Sequence, residues 1–532
     1  MIQYSEVARQ KLKIGIDAVA NAVKVTIGPR GRNVILENTF GSPVITNDGV
    51  SIAQDVYLED PIENIGASLV KEVATKTDAK VADGTTTSTI LVQAIIAEGL
   101  KLIATGLNPV VLRRGIEMAN NDILDLLKQN SKVIDSKEDI INVATVSAES
   151  REVGLLIADA IEKIGKDGVI TVEESSDFGF SIKTTEGLQF NKGLVSPAFI
   201  TKQGDMKVEI ENPYVLITDK KISSIQDIAP ILSKVLEDEH KKELLIIADE
   251  FEGEAFAVLV LNKRRGILDV ACVKCPEYGD ARREFLEDIA VMTGGKLISD
   301  STGASLETAT IADLGRADKV IASRHETTII GGKGGKALID QRVADIKKLI
   351  EDSTIEYDKV KYRMRLAKVT GGVAILKVGS ATETEMTYWK KKLEDTIGAT
   401  KSAIEEGIVA GGGVALVRAG KELAGRRQEL VGAQSSEFLA GYDMLLDAVD
   451  RPTMQIIENC GRKDAQVVLA EIKNGKGFDA DKGEFVDDMI TAGIIDPLKV
   501  TRTALENAVS VASVFLTTEA VIARDKKNED KL

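Results

Sequence analysis

The run Asp83-Gly84-Thr85-Thr86-Thr87-Ser88-Thr89 has the residue types and spacing for phosphate chemistry, and it opens an apolar helical stretch from Ile90 to Ile96. Amides at a helix N-terminus are unpaired and carry partial positive charge, so small hydroxyl residues there can close around a phosphate. Gly84 lets the backbone come close. Asp83 suits a hard cation such as Mg²⁺, which prefers carboxylate, water and phosphate oxygens, with the threonine hydroxyls as further donors. The bland alternative is an Asp-Gly turn followed by a threonine cap. Other segments decide between them. Thr26-Ile27-Gly28-Pro29-Arg30-Gly31-Arg32-Asn33 forces a tight loop, and Asp48, in Thr46-Asn47-Asp48-Gly49, is a candidate acid for water or metal. Ala410-Gly411-Gly412-Gly413, expected at the end of a helix over 395–407, and Gly493-Ile494-Ile495-Asp496-Pro497 are two later glycine-bearing sites. Asp395, read as the first residue of a helix over 395–407, could orient an attacking water toward a terminal phosphate. Its competing reading is an acid favoured at a helix start by the dipole. If all these segments meet at one nucleotide, the two chain ends fold together and the middle is an insertion.

The elements that must position these groups follow from periodicity. Val7, Leu12, Ile16, Val19 and Val23 predict a helix over 4–24, and a strand at 34–36 precedes a second short strand ending at Thr46. Residues 50–129 read as mostly helical. A mixed segment follows, with a helix at 153–165 and a strand at 168–172. From Glu186 the texture becomes β/α, with strands at 214–217, 244–248 and 270–273 separated by helices. After Gly371-Gly372 a strand at 373–378 leads back to long helices and a charged tail from Lys526. Gly187 and Gly371-Gly372 flank the β/α segment and read either as two strands of one hinge or as ordinary loop glycines. Within that segment Ile222, Ile225, Ala229, Leu232 and Leu236 share one helical face, and Phe256, Val260 and Leu261 lie on another amphipathic stretch. Such faces are usually core. Exposed, they would bind hydrophobic segments of other proteins.

Composition bounds the function. A chain of 532 residues, 44% hydrophobic, 28% charged and 4% aromatic, is a large helix-rich protein of about three or four domains. No membrane span is expected, and a net charge of −15 argues against a nucleic-acid partner. Three cysteines and the absence of a signal-like start lead to the expectation of a soluble, reducing interior. Cys272-Val273-Lys274-Cys275 lies in an expected strand, and His240 and His325 have no ligand-like spacing, so a zinc or redox site is not expected. Gly331-Gly332-Lys333-Gly334-Gly335-Lys336 lacks the spacing and final hydroxyl of a P-loop and reads as a surface loop.

With these motifs in order, the chain resembles the group I chaperonins, the GroEL family, from about Tyr4 to Arg524. The resemblance rests on Val25-Thr26-Ile27-Gly28-Pro29-Arg30-Gly31-Arg32-Asn33-Val34, the run 83–87, Ala410-Gly411-Gly412-Gly413, and Asp496-Pro497-Leu498-Lys499-Val500-Thr501-Arg502. It implies a multi-domain α/β, GroEL-like fold: a mostly helical equatorial ATPase domain (1–129 and 406–532), a small α/β intermediate hinge domain (130–185 and 373–405), and an inserted α/β apical domain (186–372). It implies ATP with Mg²⁺ and K⁺ as cofactors, and an oligomer, homo- or hetero-, of two stacked seven-membered rings. Partners would be non-native proteins and a GroES-type co-chaperonin. By the same resemblance Thr26, Ile27, Gly28, Pro29, Asn47, Asp83, Gly84, Thr85, Thr86, Thr87, Gly412, Asp479, Ala480, Asp481, Ile494 and Asp496 would form the nucleotide site. Asp83 would hold Mg²⁺, Thr26 and Thr86 would help hold K⁺, and Asp395 with Asp48 would activate water. Leu194, Phe199, Ala229, Leu232, Phe256, Val260 and Leu261 would bind clients and the co-chaperonin.

The departures from the family pattern are specific. Ala82 stands where glycine is usual, and Asn47 replaces a common lysine. Leu194 and Ala198 replace aromatics, and Cys272 and Cys275 replace alanines. The charged ending and the Asn47-Asp48-Gly49 loop occur in plastid-type relatives, so bacterial cytoplasm and plastid stroma are both expected compartments. The alternatives are a metabolic ATPase or phosphotransferase, and a diverged chaperonin paralogue that is partner-dependent with little ATPase of its own.

Overall fold

The computed structural model describes residues 2–37, 43–166, 168–175, 177–200, 206–237, 242–353 and 355–523. The charged tail from Lys526, His240 and residues 40–42 lie outside them. The chain forms two compact units: Met1–Asp159, Val172–Phe180 and Val378–Leu532 make the first, Ala160–Thr171 and Ser181–Lys377 the second.

The first unit is built from long helices whose apolar stripes are fully buried. In the helix Ser5–Val23 the stripe is Ala8, Leu12, Ile16, Val19 and Val23, the spacing of one helical face. It packs on the helix Pro61–Val81 with glycine on both sides, Gly15 against the Glu63 carbonyl and Gly66 against that of Leu12; a side chain at either would force the helices apart. The helix Thr85–Ala104, the threonine helix, packs against Pro61–Val81 and Leu498–Leu516. By length and composition alone it could cross a membrane, but half of its apolar window is buried in this core. The chain's two ends do fold together: Ile2–Tyr4 pairs antiparallel with Ala520–Ile522.

Two expectations fail here. The helix carrying Asp395 spans Glu383–Glu406, so Asp395 is in mid-helix and the dipole reading of it falls. Lysines at 390–392 do not break a helix, and the true start is Thr382, whose hydroxyl accepts the Glu385 amide behind the acidic first turn Glu383 and Glu385. The Gly411 run does not end that helix either. A strand Ile408–Ala410 intervenes, and the glycines turn it into the helix Val414–Arg426.

The second unit holds a sheet in the order Asp269–Lys274, Glu243–Ala248, Tyr214–Thr218, Leu297–Ile298, all parallel, with Gly315–Arg316 antiparallel beside Tyr214–Thr218. Leu244–Ala248 and Val270–Val273 are wholly buried, as strands covered on both faces require. Gly179–Phe190, Thr327–Ile330, Lys319–Ala322 and Val208–Glu211 form an antiparallel set, and Gly372–Gly379 neighbours Gly179–Phe190 in the same sheet. Gly187 lies against Val373, so the flanking glycines do sit on adjacent strands. Cys272 and Cys275 are buried free thiols at the end of a strand; burial holds the first far above its ordinary range and lifts the second to about 12. Ile222 falls in the short strand Lys221–Ile222, not in the helix Ile225–Glu237. The buried stripe of that helix is Ile228, Ile231, Leu232 and Val235, one step round from the expected face.

Candidate functional site

The helix Pro61–Val81 gives way to the threonine helix within Ala82-Asp83-Gly84. Ala82 (φ 52°) and Gly84 (φ 74°) are both left-handed. Glycine adopts that backbone freely, whereas a Cβ there costs roughly 1–2 kcal/mol. The Ala82 methyl is accommodated by Gly398 of the Asp395 helix, where a side chain would collide with it. The first helical bond is Ser88 N–H to the Gly84 carbonyl (2.9 Å), which leaves the Thr85, Thr86 and Thr87 amides ahead of it. Ser88 and Thr89 donate their hydroxyls to the Thr85 carbonyl (2.8 and 2.9 Å) and serve the fold. The Thr86 hydroxyl instead faces that of Thr26 at 3.3 Å. Gly49 closes the cradle, since a Cβ there would come within 2.7 Å of the Thr85 and Thr86 hydroxyls.

The walls come from both ends of the chain. Asn459 donates to the Lys24 and Ile27 carbonyls (3.0 Å each), propping the Thr26–Pro29 loop, and Arg30 Nε donates to the Asp481 carbonyl (3.0 Å). Ile408–Ala410 pairs antiparallel with Ile495–Pro497, placing Val409 opposite Asp496, and the Gly411 amide donates to the Ile494 carbonyl (3.0 Å). Thr453 holds the Gly412 carbonyl at 3.0 Å. Asp479 accepts the Asp481 and Lys482 amides and the Lys482 ammonium, each at 3.0 Å. These contacts carry Asp479 below the usual carboxylate range despite the opposing effect of burial. The result is a cavity of about 680 Å³ lined by Thr26, Ile27, Gly28, Pro29, Asn47, Asp48, the run 83–87, Asp395, Gly412, Asp479, Ala480, Asp481, Ile494 and Asp496. It lies wholly within the first unit.

Its electrostatics are acidic. Burial and then the neighbouring Asp48 push Asp78 up to about 6; burial and then Asp83 push Asp496 to about 7 against the pull of the Gly412 and Gly413 amides. Asp395 is raised well above its ordinary value by burial, then by Asp48 and Asp83. Asp83 is raised by burial, offset in part by its hydrogen bond from the Gly84 amide (2.5 Å). Asp395 makes no hydrogen bond among the described residues, so its oxygens are available to a water. Asp48 is committed. It caps the helix Gly49–Asp55 through the Val50 and Ser51 amides (3.3 and 2.8 Å) and pairs with Lys391. Among the described residues no three acidic, histidine or cysteine side chains are close enough to hold a metal ion unaided. A divalent cation beside Asp83 would complete its shell with phosphate and water oxygens, the donor set Mg²⁺ prefers.

The residues expected to touch clients lie in the second unit, at differing depths. Leu261 is 45% exposed, and Ala229, Phe256 and Val260 are partly exposed. Leu232 and Leu194 are nearly covered and Phe199 is fully buried, its ring edge-on to Phe256 at 6.0 Å. Phe199 thus supports Phe256 from beneath, whereas Leu194 is held in a backbone bridge to Val273.

A model of the TCP-1/cpn60 chaperonin family matches residues 19–526. The chain belongs to that family. The crystal structure of the chaperonin gp146 from bacteriophage EL 2 (Pseudomonas aeruginosa), in the presence of ATP-BeFx, shares its fold with a TM-score of 0.72. The two are 23% identical over 99% of this chain and 100% of that one. Several groups in the chaperonin's cleft went unread in the sequence. Asp78 sits in the last turn of Pro61–Val81, and Lys391 and Lys392 sit one turn before Asp395. The lysine triplet was visible as charge; that successive lysines serve different walls, Lys391 to Asp48 and Lys392 to Glu149 (2.7 Å), needed the helix phase. Asn459 and Thr453 reach into the cleft through carbonyls distant in sequence, which leave no local signal.

Proposed function

We propose that this chaperonin is of the group I type, that it binds ATP in the cleft of the first unit, and that it hydrolyses it. The carrying observation is the facing of Asp395, a carboxyl with no hydrogen-bond partner of its own among the described residues, toward a cavity it shares with Asp83 and the unpaired threonine amides. The amides of Thr85–Thr87 and their hydroxyls would receive the phosphates, and Gly412, Asp479, Ala480 and Ile494 the ribose and base. Asp83 would hold Mg²⁺, and Thr26 with Thr86 a K⁺. Bound there, Mg²⁺ supplies positive charge that offsets the phosphate oxygens. Asp395 accepts a proton from the attacking water, while Asp48, tied to its cap and to Lys391, shapes the wall beside it. The domain reading is an equatorial ATPase domain of both chain ends, an intermediate domain and an apical domain within 186–372. On the apical domain Ala229, Phe256, Val260 and Leu261 would capture non-native chains and a co-chaperonin, and two stacked rings would enclose the client. Apolar contact without sequence readout fits many partners.

Phosphate release by the purified chain with Mg²⁺ and K⁺, beside negative-stain electron microscopy, tests this. ATP-hydrolysing double rings support the proposal. No turnover would favour the partner-dependent paralogue, for which the left-handed Ala82 beside the phosphate loop is the supporting observation.

A further inference from the structure

The helix Glu383–Glu406 carries Asp395 in its middle, and its depth over the loop Ala82-Asp83-Gly84 fixes where that carboxyl stands. Ion pairs hold the helix on either side of this point. Lys392 pairs with Glu149 (2.7 Å) one turn before Asp395, and Arg502 Nε donates to Glu406 (2.6 Å) at the helix end. Neither sets how closely the turn after Asp395 approaches the loop. That turn holds Gly398, three residues on and therefore on the same side of the helix as Asp395. Gly398 faces Ala82 and the Val81 carbonyl, where the helix Pro61–Val81 gives way to the threonine helix. The left-handed backbone of Ala82 (φ 52°) aims its methyl at this glycine. A Cβ at 398 would overlap that methyl; with the methyl gone, its nearest neighbours would be the Val81 carbonyl oxygen at 3.3 Å and the Ala82 Cα at 3.6 Å.

We propose that Gly398 is a positioning residue for hydrolysis: its bare Cα, seated on the Ala82 methyl, sets the depth at which Asp395 stands over the threonine amides. The inference rests on the reading of the cleft as an ATPase site. Three observations support it. Ala82, the run 83–87 and Asp395 line one cavity, and the Gly398–Ala82 contact joins the helix of the one to the loop of the other. Gly398 lies inside a 24-residue helix without a left-handed φ, and alanine is the better helix former there, so the backbone gives no reason for glycine. The space gives one. Two methyl carbons need about 3.5–4.0 Å, so a side chain at 398 would drive helix and loop apart by on the order of 1 Å. A displacement of that size misplaces a base relative to the water it must deprotonate.

The test compares steady-state ATP turnover of the full chain with its affinity for a non-hydrolysable ATP analogue. Gly398→Ala should lower kcat by about ten- to a hundredfold while analogue affinity stays within about threefold, because the phosphate amides and the ribose wall are untouched. Adding Ala82→Gly should restore kcat to within about threefold of Ala82→Gly alone, since the obstructing methyl is gone. A merely structural role would neither split kcat from affinity nor be rescued from the loop side. Unchanged kcat in Gly398→Ala, lost analogue affinity in place of lost kcat, or no rescue by Ala82→Gly overturns the proposal. Ala82→Ser enlarges the same contact from the loop, should lower kcat in the same way, and carries the test where Gly398→Ala does not fold. A parent that does not turn over ATP overturns the nucleotide reading and this inference with it. A parent that does, beside an unchanged Gly398→Ala, overturns the inference alone.

Discussion

The cleft of the first unit and the apolar rim of the second use opposite strategies. In the cleft the loops are fixed by backbone devices: left-handed Ala82 and Gly84, the Asp48 cap, the Asp479 turn, the carbonyls held by Asn459 and Thr453. On the rim Phe256, Val260 and Leu261 stand on one helix, Gly253–Arg264, and apolar side chains of this kind have no polar group by which to be oriented. Geometry matters in the first and apolar area in the second, so the cleft tolerates almost no change of shape while the rim tolerates many of identity. Substitutions can break that contrast.

The largest effect is expected at Asp395. Asp395→Ala should lower ATP turnover by about 10²–10⁴-fold, the range for loss of a general base, while ATP binding and assembly persist. Unchanged turnover would return Asp395 to a spectator. Its raised pKa adds a pH signature: the base works only as carboxylate, so turnover should fall with pH well above the ordinary aspartate range. On the rim the contrast is between neighbours. Leu259 is fully buried and Leu261 half exposed. Leu259→Ala should cost roughly 2–5 kcal/mol of stability in the second unit. Leu261→Ser should leave the melting temperature nearly unchanged, leave basal turnover intact and weaken capture of unfolded protein several-fold. Equal destabilisation by both would make the rim core.

Legibility followed the same divide. The cleft's motifs were readable because glycine, threonine and aspartate at fixed offsets have few other uses, and the buried strands were readable because Leu244–Ala248 and Val270–Val273 are continuous apolar runs. The start of the Asp395 helix was missed because three lysines look like a boundary but have good helix propensity, and Thr382 outweighed them. The face of Ile225–Glu237 was misphased by one step because Ile222 continues the spacing while belonging to a strand. Pairing of Val409 with Asp496 is a tertiary fact with no local trace.

Gly49 sharpens the shape argument. Gly49→Ala puts a methyl within contact-breaking distance of the Thr85 and Thr86 hydroxyls and leaves every charge in place. Nucleotide affinity should fall by about tenfold while the second unit melts as before, since roughly 1–2 kcal/mol of cradle distortion suffices. Full affinity by isothermal titration would show that the cradle yields.

The smallest effect separates charge from shape. Asp78 titrates near 6 in the fold against 3.8 for an ordinary aspartate. The folded state therefore binds more protons than the unfolded one between those values, and stability contributed by protonated Asp78 is complete below about pH 4 and lost as pH rises through 6. Asp78→Asn removes that loss. Discounted for its partial exposure, the gain over the parent should be about 1–2 kcal/mol at pH 8 and should vanish near pH 4. Denaturant melts of the nucleotide-free chain at low salt measure it. A gain of the same size at both pH values would mean that the amide of Asp78→Asn improves packing and that burial of the Asp78 charge beside Asp48 is not what destabilises the cleft.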